Sequence, residues 1–88
     1  MKILQTTQFR KDLKRGKKQK RNLDALKKAL HLFVQGEKLP AKFKDHALGG
    51  QWKSFRDCHI GPDWVLIYRI KDDELHLVRI GSHTNLFE

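Results

Sequence analysis

The chain has 88 residues, of which 39% are hydrophobic and 33% charged, so it holds one core and is read as a single domain over residues 1–88. Its single cysteine, Cys58, excludes an internal disulfide and a cysteine-based zinc cluster. The formal net charge of +9 is lopsided: residues 1–44 carry 14 Lys/Arg against 3 Asp/Glu, and residues 45–88 carry 5 against 7.

Ile3 and Leu4 predict a short edge strand, and Thr6 or Thr7 offers an N-cap hydroxyl to the helix that follows. Phe9 and Leu13 lie four apart on one face of that helix, and Gly16 is expected to end it or break its rhythm. The run Lys17-Lys18-Gln19-Lys20-Arg21 reads as an exposed basic turn. Leu23, Leu26, Leu30, Phe33 and Val34 then form one apolar stripe of a second helix, stopped by Gly36 and Leu39-Pro40. Residues 41–50 read as a loop. Beyond them the period changes from helical to alternating. Trp52 to His59, Trp64 to Ile70 and Leu75 to Ile80 predict three antiparallel strands, joined through Gly61-Pro62-Asp63 and Lys71-Asp72-Asp73. The expected fold is α+β: a two-helix hairpin packed on one face of a small twisted antiparallel β-sheet, with the other face open to a ligand.

No apolar run reaches the roughly 20 residues of a membrane span. Met1-Lys2-Ile3-Leu4 passes at once into polar residues, without a signal-peptide core. A cytoplasmic protein with no membrane partner is expected. A strongly basic N-terminal half is the electrostatic footprint of a nucleic-acid binder, although a solubilising helix face or an acidic protein partner would carry the same charge.

Five histidines are present. His31 and His76 fall inside regular elements and read as structural. His46, His59 and His83 fall in loops or at strand ends, where functional side chains concentrate, and Asp63 shares a tight turn with His59. No His-x-x-x-His helix and no cysteine pair supports zinc. Ser54 and Cys58 lack the context that activates a nucleophile, and Gly49-Gly50 lacks the spacing of a phosphate loop. Basic charge, histidines, an Asp, an Arg and exposed aromatics suit metal-free cleavage of RNA through its own 2′-hydroxyl, with no cofactor. A base takes the 2′-OH proton, an acid protonates the 5′-oxygen, and a cation steadies the phosphorane.

Lys44-Asp45-His46, Trp52-Lys53, Arg56-Asp57, His59, Pro62-Asp63-Trp64, Leu66-Ile67-Tyr68 and Arg79-Ile80-Gly81-Ser82-His83 with Leu86-Phe87 together resemble the YafQ toxins of the RelE/ParE superfamily. So does the basic helix beginning Thr7-Gln8-Phe9-Arg10-Lys11-Asp12-Leu13-Lys14. The resemblance spans nearly the whole chain and implies a RelE-like fold and a ribosome-dependent endoribonuclease. It places His46, His59, Asp63 and His83 in the catalytic group, with His83 as general acid and the others as base or orienters. It implies that Arg79 binds the scissile phosphate and that Trp64 and Phe87 contact RNA near the cut. It also implies messenger RNA in the ribosomal A site as substrate, ribosomal RNA as a contact of the basic helices, and an acidic cognate antitoxin. Lys17 and Lys18 are the expected RNA-binding members of the basic turn. Asp57 either fixes the tautomer of His59 or pairs with Arg56 or Arg69, the second being preferred. A ParE-like gyrase-binding poison or a non-catalytic RNA-binding module would share the fold.

Overall fold

The computed structural model describes residues 1–88. Strand β1 (Lys2–Gln5) leads into helix α1 (Thr7–Lys18), and helix α2 (Asp24–Val34) follows. A short strand β2 (His46–Ala47) precedes β3 (Arg56–Gly61), β4 (Trp64–Lys71), β5 (Glu74–Gly81) and a terminal helix α3 (His83–Phe87). The strands form one sheet in the order β1-β5-β4-β3-β2. No helix is long and apolar enough to cross a membrane.

The α+β class and the helix hairpin are as expected, and the sheet departs from expectation in two ways. It has five strands, and it is mixed: β1 pairs parallel with β5, from Lys2 beside Glu74 to Gln5 beside Leu77, while every other pair is antiparallel. Nothing local announces that pairing, because the partners lie at opposite ends of the chain. Trp52 is not in a strand; it ends a 3₁₀ turn over Gly50–Trp52, and β3 starts at Arg56.

Thr6 begins α1 as expected. Its Oγ1 accepts the Phe9 N–H at 2.9 Å and donates to the Val78 carbonyl at 2.7 Å, so the cap also fastens the helix to β5. Such a cap contributes about 1 kcal/mol. Gly16 does not end α1, which continues through it to Lys18. A Cβ at Gly16 would stand 2.7 Å from Trp64 Cζ2, so the glycine is where helix and sheet come closest. On α2 the buried positions are Leu26, Ala29 and Phe33. Val34, expected in the stripe, is 45% exposed, because one position past Phe33 turns the side chain about 100° away from the sheet.

The main core joins Phe9, Leu26, Ala29 and Phe33 to Leu66, Tyr68, Leu75, Leu77 and Ile80. The Phe33 and Tyr68 rings lie 4.5 Å apart. Val65 and Ile67 point the opposite way, as alternation predicts. That second face is not open along its length: Leu86 of α3 is buried on Val65 and Ile67, with Trp52, Phe55 and Val78 packed alongside. Cys58 is fully buried, and burial pushes its thiol up, which suits an inert structural side chain.

Candidate active site

Asp57 and His59 stand two residues apart on β3 and so share the sheet face away from α1 and α2. Strand β2 lays His46 beside Asp57 in register. The β3–β4 turn brings Asp63 to the end of the same face, held at φ +47°, in the left-handed region that Asp tolerates better than most residues. Strand β5 then delivers His83 as the first residue of α3, whose start is capped by Ser82 Oγ accepting the Asn85 N–H at 3.1 Å. The chain thus returns four times to this part of the sheet: His46 lies beside Asp57, and Asp63 and His59 lie beside His83.

Their contacts fix orientation. The His83 main-chain N–H donates to Asp63 Oδ1 at 3.1 Å, and His83 Nδ1 lies 3.4 Å from the same oxygen. These two contacts, the backbone one first, hold the Asp63 carboxyl below the usual carboxylate range. A carboxylate only accepts, so Nδ1 is the protonated nitrogen facing it and Nε2 points away. The His59 ring lies 5.3 Å from His83, and Phe87, 36% exposed, lies 5.8 Å from His83 on the other side. His46 Nδ1 sits 2.8 Å from the Lys44 carbonyl, which also only accepts, so Nδ1 carries the proton and Nε2 keeps its lone pair.

Beneath His46 lies Asp57, only 2% exposed. Its Oδ1 is 3.1 Å from His46 Nδ1. The proton on that nitrogen points at Lys44, so Asp57 supplies charge without an aligned hydrogen bond. Burial pushes the Asp57 carboxyl up, and His46, His59 and His83, in that order, draw it back down. The preferred pairing of Asp57 with Arg56 or Arg69 is therefore corrected. Arg56 bonds Asp45 at 3.2 Å, Arg69 bonds His76 at 2.9 Å, and Asp57 belongs to the histidine cluster. His76, also bonded to Glu74 at 3.0 Å, is structural as expected.

Two expected RNA contacts are placed otherwise. Trp64 is 3% exposed, with its indole against Gly16, so it presents no ring face to a base. Arg79 is not an open phosphate fork. Its Nε and Nη2 donate to the two oxygens of Asp12 at 2.8 and 3.2 Å, leaving Nη1 and the second Nη2 N–H without a protein partner. Asp12 is a buried carboxylate that sequence reasoning missed. Its signal was available, because it falls between Phe9 and Leu13 on the buried side of α1. Lys17 and Lys18 are exposed in the last turn of α1, at the end that Gly16 brings against Trp64.

Residues 1–88 match the family described as "Bacterial toxin of type II toxin-antitoxin system, YafQ". The mRNA interferase toxin YafQ of Escherichia coli K12 is 42% identical over 81 residues, covering 91% of this chain and 88% of that protein. The Escherichia coli DinJ–YafQ complex superimposes with a TM-score of 0.89 at 40% identity, over 98% of this chain and 97% of that one. A copper-bound mutant toxin from Helicobacter pylori gives 0.94 at 41% identity, over 99% of both chains. This chain belongs to the YafQ family of bacterial toxins of type II toxin–antitoxin systems.

Proposed function

We propose that this toxin cuts messenger RNA in the ribosomal A site by attack of the RNA's own 2′-hydroxyl on the adjacent phosphorus. The observation that carries the reading is the gathering of three imidazoles and two carboxylates on one sheet face beside an exposed phenylalanine. His46, with its Nε2 lone pair free, is the general base that takes the 2′-OH proton, and His59 stands in the same cluster as an alternative base. The new bond joins the 2′-oxygen to phosphorus. The bond to the 5′-oxygen breaks, and His83 Nε2 gives that oxygen its proton, leaving a 2′,3′-cyclic phosphate and a 5′-hydroxyl. Asp63 orients His83. Asp57 faces the positive charge that forms on the imidazole accepting the proton. Phe87 stacks on a base next to the cut. Arg79, held by Asp12 through Nε and one Nη2 N–H, reaches the phosphate with the N–H groups left on its Nη1 and Nη2 edge.

Lys17, Lys18 and the other exposed lysines of α1 and α2 supply the sequence-independent attraction to messenger and ribosomal RNA. A net charge of +9 also suits an acidic cognate antitoxin. The complexed Escherichia coli relative is bound to DinJ, which supports such a partner. The Helicobacter relative is described as copper-bound. In this chain no three His, Cys, Asp or Glu side chains converge as metal donors, and no step above runs through a metal.

The test is to map message 5′ ends in a purified translation system, with and without EDTA, for wild type and His83→Ala. Sharp cuts that persist in EDTA and weaken by about 10²–10⁴ in the variant are expected. Intact message with translation blocked would replace this reading by a binding poison.

A further inference from the structure

Arg21 is held in place before any ligand arrives. Its Nη1 donates to the Pro62 carbonyl at 2.9 Å, and its guanidinium carbon lies 5.7 Å from the centroid of the buried Trp64 ring. A side chain with much rotamer freedom to lose is thereby fixed at the turn that carries Asp63. Beside it, between the C-terminal half of α1 and the start of α3, lies a cleft of about 110 Å³. Arg15, Gln19 and Arg21 line one side, Ser82 and Asn85 the other, with Trp64 contributing to the lining.

This lining has the chemistry of an anion site. Arg15 and Arg21 take part in no ion pair. Asp12 also borders the cleft, but its oxygens already accept from Arg79, Gln8 and the Ile80 N–H, so its charge is spent internally. The remaining polar side chains of the lining, Arg15, Gln19, Arg21, Ser82 and Asn85, are amide, hydroxyl and guanidinium donors, which suit the oxygens of a phosphate. Position adds a second argument. Ser82 is followed by His83, and Pro62, which anchors Arg21, is followed by Asp63. The cleft therefore borders the two segments that carry Asp63 and His83, through Trp64 and Ser82.

We propose that this cleft binds a backbone phosphate of RNA flanking the one that is cut, a subsite that rests on the ribonuclease reading above. Trp64 then serves RNA indirectly: it carries Arg21, and Gly16 makes room for it.

Binding of a fully 2′-O-methylated single-stranded RNA, which cannot be cut, tests the proposal. Affinity is measured across salt for wild type, for Arg15→Gln/Arg21→Gln, and for Lys2→Gln/Lys71→Gln, which removes equal charge at the sheet end beside Glu74, away from the cleft. The arginine pair should weaken binding roughly tenfold and lower the salt slope by about 0.7 for each phosphate no longer neutralised, with little change in slope from the lysine pair. Arg21→Lys, with melting curves throughout, separates a weakened phosphate site from a weakened fold. As a mutation-free measurement, inorganic phosphate titrated into wild type should shift the amides of Gln19, Arg21, Ser82 and Asn85. Equal slopes in the two double variants, or amides that do not respond, overturn the subsite while cleavage by wild type leaves the ribonuclease reading intact. A wild type that neither binds nor cuts RNA overturns both. Vacant ribosomes form the second arm: a defect confined to them overturns the flanking-phosphate subsite and assigns the two arginines to ribosomal RNA.

Discussion

The indole of Trp64 occupies the space a side chain at Gly16 would need, with Cζ2 2.7 Å from where a Cβ would sit. This close approach joins the basic end of α1 to the turn bearing Asp63. A glycine inside a helix costs up to about 1 kcal/mol relative to alanine, so its presence here reflects the need for space. Gly16→Val adds three carbons against a rigid, buried ring. Overpacking of this kind costs about 1–3 kcal/mol, more than the small gain in helix propensity offsets. The melting temperature should fall by roughly 5–20 °C, and cleavage should fall with it as Trp64, Arg21 and Asp63 shift. An unchanged melting curve would show that the helix can move aside freely.

Asp57→Asn separates a functional charge from a structural one. Burial raises the Asp57 carboxyl, so the stability it contributes is full below the unfolded carboxylate range, near pH 3.9, and is lost as pH rises through its folded value. Near neutrality its charge is a cost to the fold, and the neutral amide should leave the melting temperature level or higher. Cleavage should nevertheless drop by about 10- to 10³-fold, the range for removing a fixed group that stabilises charge in the transition state. Loss of stability together with activity would make Asp57 a structural residue.

Much of this architecture was legible along the chain, because periodicity reports local geometry. The α2 stripe through Leu26 and Phe33, the Thr6 cap, strands β4 and β5 and the turns between them all follow from spacing and turn chemistry. What stayed hidden depends on contacts between distant residues. The parallel pairing of Ile3 with Leu75 has no local mark, and α3 has five residues, too few to display a helical period. The histidines converge because β2, β3, β5 and the Asp63 turn share one sheet end, and their loop and strand-end positions hinted at that. Trp64 and Arg79 are less open than their positions suggest for a common reason: a residue beside an exposed turn can face inward, and an arginine on a strand end can already be engaged by a carboxylate. Asp12 and Gly16, one turn apart on α1, decide both cases.

Phe87 is the exposed aromatic beside His83, proposed above to stack on a base. It is 36% exposed, 5.8 Å from His83, and set on a helix whose neighbouring Leu86 is buried. Stacking of a base is worth about 1–3 kcal/mol, so Phe87→Ala should lower kcat/KM about 5- to 100-fold with little change in melting temperature. Phe87→Trp should restore most of the loss. Full activity in the alanine variant would remove stacking from the mechanism.

Asp12 links stability to acid. Burial alone would push its carboxyl up, but hydrogen bonds from Arg79, Gln8 and the Ile80 N–H outweigh that, and the carboxyl lies below its ordinary value. A depressed carboxylate contributes stability that is complete above its unfolded value, near pH 3.9, and is lost as pH falls through the lower folded value. Asp12→Asn gives up this contribution at every pH and leaves the Arg79 guanidinium, with a side chain 25% exposed, without its anion. At pH 7 the cost should be about 3 kcal/mol, the lower end for breaking a buried ion pair, or roughly 10–20 °C in melting temperature. The gap between wild type and variant should then narrow as pH is lowered from 5 towards 2, because wild-type Asp12 is itself becoming neutral. A gap that stays constant across that range would mean that shape and hydrogen bonding, rather than charge, hold α1 to β5.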